Sequence, residues 1–186
     1  MKRYVAAALC LAAALCLFSG CKKQTEEPVE LPAETEEQQP AQVPNPMTEV
    51  TSPDDFAPLA VYISAPQGAE NVKYYTISGE TAEIQFDYAG ASYVYRAALS
   101  DKDISGVYEE FKADPGIYAA GEGDTAVALL VQTAKSGGKL ATWQLGSASF
   151  SLYTTSPLSD DDIVAVCKAV TSVDLAKTLS LLKNLK

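Results

Sequence analysis

"TAEIQFDYAGASYVYRAAL", residues 81–99, decides the fold. Ala82, Ile84, Phe86 and Tyr88 alternate with Thr81, Glu83, Gln85 and Asp87. A period of two belongs to a strand with one dry face and one wet face. Ala89 and Gly90 interrupt the run, and "ASYVYRAAL" resumes it, so the stretch predicts a β-hairpin. Tyr93 and Tyr95 share a face of the second strand, and Arg96 points the other way.

Further strands follow on the C-terminal side. "TAVALLVQTA" is apolar at both alternations, which predicts a central strand. "KSGGK" turns into "LATWQLG", and Gly146 turns into "ASFSLYT", with Ala141, Trp143 and Leu145 on one face and Ala148, Phe150 and Leu152 on another. Between the halves, "SDKDISGVYEEFKADPG" reads as a one-turn helix and a short edge segment.

On the N-terminal side, "TSPDDFAPL" starts as a short helix, with Ser52 as cap, Pro53 at the first position and two aspartates in the first turn. An extended segment from Ala60, a Pro-Gly turn at Pro66 to Gly68 and a strand near Val72 to Ile77 complete that side. The period changes at the end of the chain. Ser159 and Asp162 form a capping-box pattern, and Ile163, Val166, Cys167 and Val170 make one apolar stripe of a helix. Whether "LAKTLSLLKNLK" continues that helix is open at this level. The expected fold is α+β: a mostly antiparallel sheet of about six or seven strands with a C-terminal helix packed on it.

The N-terminus has a different character. Lys2 and Arg3 precede the apolar stretch "YVAAALCLAAALCLF", and Ser19-Gly20 brings small residues before Cys21. These are the three parts of a secretory signal. The apolar stretch holds about 15 residues, short of the roughly 20 that a membrane-spanning helix takes. "LFSGC", residues 17–21, resembles the lipobox of bacterial lipoproteins, with Phe18 where that family usually has Leu. The resemblance implies that residues 1–20 are a lipoprotein signal peptide and that Cys21 is lipidated and becomes the first mature residue. An ordinary signal peptide with an incidental cysteine is the alternative. One acyl chain holds a protein only marginally, whereas the two chains of a diacylglyceryl group anchor it durably. Residues 21–46, dense in Pro, Glu and Gln, bury too little apolar surface to offset their ordering entropy and read as a disordered acidic linker. Residues 47–186 are then the folded extracytoplasmic domain.

Composition narrows the chemistry. The 186 residues include 14 basic and 24 acidic side chains, a net charge of −10, and no histidine. The acidity argues against a nucleic-acid partner. The missing histidine removes every Ser-His and Cys-His arrangement and the commonest transition-metal ligand. Cys167 lies on an apolar helical stripe and reads as a buried hydrophobe rather than a nucleophile. "DKD" at 101–103 and "DDD" at 160–162 lack the EF-hand spacing, and the latter suits a helix N-terminus. "GEGDT" at 121–125 matches no phosphate loop. No metal, cofactor or catalytic residue is expected. Tyr74, Tyr75, Tyr88, Tyr93, Tyr95, Tyr108, Tyr118 and Tyr153 lie in or near strands, where they either pack across strands or form an exposed platform for a glycan or peptide.

"PDDF", "IQFDY", "YVYRAA", "DISGVYE" and "KSGGKLATW", in that order over about Asp54 to Val173, resemble an uncharacterised extracytoplasmic domain of bacterial lipoproteins and membrane-anchored proteins, mainly of Gram-positive bacteria. That resemblance implies fold and location and hands over no active residue. The expected protein is a lipid-anchored module on the extracytoplasmic face of the cell membrane, binding an unknown protein, peptide or glycan. A carboxylate-dependent hydrolase of cell-wall or glycan material, or a sensor or inhibitor of a neighbouring membrane protein, are the alternatives. Cys21→Ala should release the protein from membranes or leave it unprocessed, read by fractionation. Equal solubility of wild type and variant would refute the anchor.

Overall fold

The computed structural model describes residues 46–185; the expected signal peptide, Cys21 and nearly all of the expected linker lie outside the described residues. Eight strands form one antiparallel sheet: β1 Met47–Val50, β2 Glu70–Ile77, β3 Thr81–Tyr88, β4 Ala91–Leu99, β5 Gly116–Ala120, β6 Val127–Thr133, β7 Lys139–Leu145 and β8 Ala148–Thr154. Their order across the sheet is β1-β2-β3-β4-β8-β7-β6-β5. One long helix, α1, spans Asp160–Lys183. The fold is therefore α+β with a helix on the sheet, and the strand count is eight rather than six or seven.

Two four-strand meanders, β1–β4 and β5–β8, meet where β4 pairs with β8. The β3–β4 hairpin has the expected register, with Tyr88 opposite Ala91. Its turn residues Ala89 and Gly90 both have positive φ, 50° and 82°, the geometry that matches the twist of two-residue hairpins. Alternation then sorts the side chains. Ala82, Ile84 and Phe86 of β3 share the core face with Tyr93, Tyr95 and Ala97 of β4. Across the central seam, Tyr95 tilts against Trp143 at 5.7 Å, and Trp143 stacks on Phe150 at 5.5 Å. Such aromatic pairs add about 0.5–1.5 kcal/mol each beyond area burial.

α1 covers the β5–β7 part of this face, through Ile163, Val166, Cys167, Val170 and Leu175. It starts as expected, with the Ser159 hydroxyl accepting from the Asp162 N–H. It runs unbroken through the segment after Val173, so the final leucine-rich stretch belongs to the same helix as far as Lys183. Lys139 of β7 pairs with Asp160 at its first turn, and the Tyr118 hydroxyl of β5 donates to the same carboxylate at 2.8 Å.

A 3-10 helix, Pro53–Leu59, caps the β2–β3 side, and the Asp55 carboxylate accepts from the N–H groups of Thr51 and Ser52. The extended segment that follows joins no strand ladder. It lies along α1 as a strap: Val61 and Ile63 are fully buried, and the polar backbone is met by the helix. Thr178 Oγ1 accepts from the Tyr62 N–H and donates to the Tyr62 carbonyl. The Asp174 carboxylate accepts from the Ser64 N–H at 3.1 Å and from the Ser64 hydroxyl at 2.6 Å.

Two further expectations are corrected. "TAVALLVQTA" yields β6, the strand next to the edge, with Ala128 exposed and Leu130 half-buried on the outward face. "SDKDISGVYEEFKADPG" contains no helix: residues 100–115 form a long connection with a single bridge, Phe111 to Ala134. Its local polar groups prefer turns, the Ser105 N–H donating to Asp103 and the Val107 N–H to Ser105.

Asp174 is fully buried, and that burial pushes its carboxyl up to about 7, against 3.8 for the free group, with the Ser64 hydrogen bonds and the Lys177 charge opposing. Tyr95 of β4 lies near enough for the two groups to influence each other, yet its hydroxyl reaches no acceptor in hydrogen-bond geometry. Between the two values the unfolded chain is ionised while the folded chain holds its proton, so stability falls as pH rises from about 4 to about 7. Asp174→Asn removes the ionisation and keeps an acceptor for Ser64. The decline in Tm between about pH 4 and about pH 7 should shrink in that variant. A slope equal to wild type would assign the dependence to another group.

Candidate functional site

The face of the sheet opposite α1 carries the 100–115 connection, which has to run from the middle strand β4 to the far edge strand β5. Glu83 and Arg96 lie directly across from each other on β3 and β4. Arg96 Nε donates to Glu83 at 2.6 Å, and Gln85 donates to the other carboxylate oxygen at 2.7 Å. The free end of the guanidinium then donates to the carbonyls of Ile104 and Ser105, at 3.3 and 2.8 Å. Gly106 sits against it with φ +64°, and a Cβ there would lie 2.1 Å from Arg96 Nη1. Only glycine fits this approach.

Both ends of the connection are fixed as well. The Ser149 hydroxyl donates to the Ser100 carbonyl. At the other end Glu109 accepts from Tyr153 and Ser136, Lys135 pairs with Glu110, and the Lys112 N–H donates to the Thr133 carbonyl. Desolvation, with the Glu109 contact, raises the Tyr153 phenol to about 12, so it stays a neutral donor.

Between this connection and strands β6, β7 and β8 lies a cleft of about 610 Å³. Its floor presents Leu130 and Gln132 from β6, Leu140 and Thr142 from β7, and Ser151 from β8. Asp101, Asp103, Ile104 and Phe111 form the wall. Among the described residues, the side chains of Gln132, Thr142 and Ser151 make no hydrogen bond to protein. A second, smaller hollow of about 350 Å³ lies on the same face, lined by Lys73, Asp87, Val94 and Tyr153.

The side chains singled out from the sequence are dispersed. Cys167 is buried on the inward side of α1, and burial pushes its thiol up to about 12. Asp160 and Asp162 serve the start of α1, and their hydrogen bonds hold both carboxyls below the usual range. Asp103 caps Ser105, and only it and Asp101 reach the cleft. Among the described residues, no group of three or more acidic or cysteine side chains converges as a metal site. Gly123–Thr125 of "GEGDT" make one 3-10 turn. Tyr93 and Tyr95 are buried, Tyr74, Tyr75, Tyr88, Tyr118 and Tyr153 are half-buried, and Tyr108 at the crest of the connection is 99% exposed. The tyrosines therefore make no shared platform among the described residues. Cys21 lies outside them.

Sequence reasoning missed the floor residues. They occupy outward positions of β6, β7 and β8, a pattern that any solvated strand face would show. No protein-family model, curated protein or solved structure matches this chain.

Arg96→Ala would strand the buried Glu83 carboxylate and free the connection. Stability should fall by about 3 kcal/mol in urea unfolding, with new proteolytic cuts within residues 100–107. An intact connection under protease would show that its ends alone hold it.

Proposed function

We propose that this protein is a membrane-tethered extracytoplasmic lipoprotein that works as a non-enzymatic binding module, with the cleft beside the 100–115 connection as its binding site. The observation behind the site is the set of free hydrogen-bonding groups on the cleft floor: among the described residues, the side chains of Gln132, Thr142 and Ser151 have no hydrogen-bond partner, and they sit among apolar neighbours. Clefts of roughly 300–1,000 Å³ that combine apolar walls with a few convergent polar groups are the usual form of small-ligand sites. The lipobox-like "LFSGC" and the acidic spacer supply the tether, with Lys22 and Lys23 beside the lipid, where each gains roughly 1 kcal/mol from anionic headgroups.

A carboxylate-dependent hydrolase is the second reading, because Asp101 and Asp103 line the same cleft. One experiment separates the two. Immobilised full-length protein is exposed to unfractionated cell-envelope extract, and retained compounds are read by mass spectrometry. Wild type should retain material that a cleft-filling Thr142→Trp variant does not, with no new reducing ends released. Equal retention would overturn the cleft as the site. Release of reducing ends that Asp101→Asn or Asp103→Asn abolishes would make the protein an enzyme.

A further inference from the structure

We infer that the cleft takes a short, uncharged oligosaccharide, a ligand class that rests on the reading of the cleft as a binding site. The floor carries no formal charge. Its polar groups, the Gln132 amide and the Thr142 and Ser151 hydroxyls, each both donate and accept hydrogen bonds. Sugar hydroxyls have that same double character. Ser151 is only 2% exposed, so a group bonding to it is largely withdrawn from water, where hydrogen bonds discriminate best. Leu130, Leu140 and Phe111 supply apolar surface beside these groups, which suits the C–H faces of pyranose rings.

Other ligand chemistries fit less well. An anion such as phosphate would face Asp101 and Asp103 with Lys102 as the single cation of the lining. A peptide that binds as an added strand draws most of its affinity from the open edge of a sheet. The strands of this floor have none, since β6, β7 and β8 are each paired on both sides. Recognition here has to come from side chains on a sheet face, through groups that both give and take hydrogen bonds.

The test uses the full-length protein in a detergent without a sugar headgroup, titrated calorimetrically with cellotetraose, tetra-N-acetylchitotetraose, a tetra-alanine peptide and inorganic phosphate. At least one oligosaccharide should saturate the protein at one site. Its affinity should change by less than about twofold between low and high salt, because no ion pair forms. Thr142→Val and Gln132→Leu should each weaken it by about fivefold or more, the loss of one net hydrogen bond, with Tm unchanged. Binding of the peptide or of phosphate with neither oligosaccharide would overturn the inference, as would oligosaccharide binding indifferent to both substitutions. Cleft-dependent retention from envelope extract, with neither sugar bound, would sink the ligand class and leave the cleft standing.

Discussion

Everything on the wet face of this protein follows from one topological constraint. The first meander ends at β4, in the middle of the sheet, and the second begins at β5, on the far edge. Four strand spacings of about 4.8 Å separate them, roughly 19 Å. The chain has to cross β8, β7 and β6, and α1 already covers that part of the other face. Residues 100–115 are long enough at about 3.3 Å each to arch rather than lie flat. A cleft between the arch and the strands is the result.

The two covers of the sheet are held by different physics. α1 and the strap seal a core of aromatic and branched side chains, so their polar contacts are buried. Asp174 and Thr178 take up backbone groups of the strap that have no strand partner, as the burial of a peptide group requires. A buried carboxylate is costly, and the raised value of Asp174 expresses that cost. The crossing connection has little apolar mass to bury. Its hold depends on Arg96, whose guanidinium meets Glu83 on one side and two carbonyls on the other. A fork of five fixed donors can do this where a lysine cannot. Breaking such a pair is expensive because it leaves an unmatched charge behind.

This arrangement also bears on what the cleft is suited to. Its wall is rigidly placed and its floor belongs to a continuous sheet, so its polar groups are preorganised and little ordering is needed on binding. Among the described residues, the buried side-chain polar atoms without partners, Tyr95 Oη and Trp143 Nε1, belong to the aromatic core. Gln132, Thr142 and Ser151 line the cleft instead.

Local features of the chain were legible in the residues themselves: the β3–β4 hairpin from its alternation and Ala89-Gly90 turn, the β7–β8 pair, the Ser52 and Ser159 caps, and the stripe that faces α1 inward. Each depends on side-chain period or turn geometry within a few residues, which sequence records directly. β1 went unseen because a four-residue edge strand gains its identity only from its partner. Helix α1 past Val173 was ambiguous because Asp174 and Thr178 break its apolar stripe, and their role appears only beside the strap. The pairing of β4 with β8 joins residues from Leu99 and Ala148 to Val94 and Tyr153, far apart in the chain, and no local pattern encodes it. That pairing sent residues 100–115 across the sheet, turned Arg96 from a wet-face charge into an anchor, and made Gln132, Thr142 and Ser151 the floor of a cleft. Contacts that span the chain come from the packing of whole elements, and packing is decided only in three dimensions.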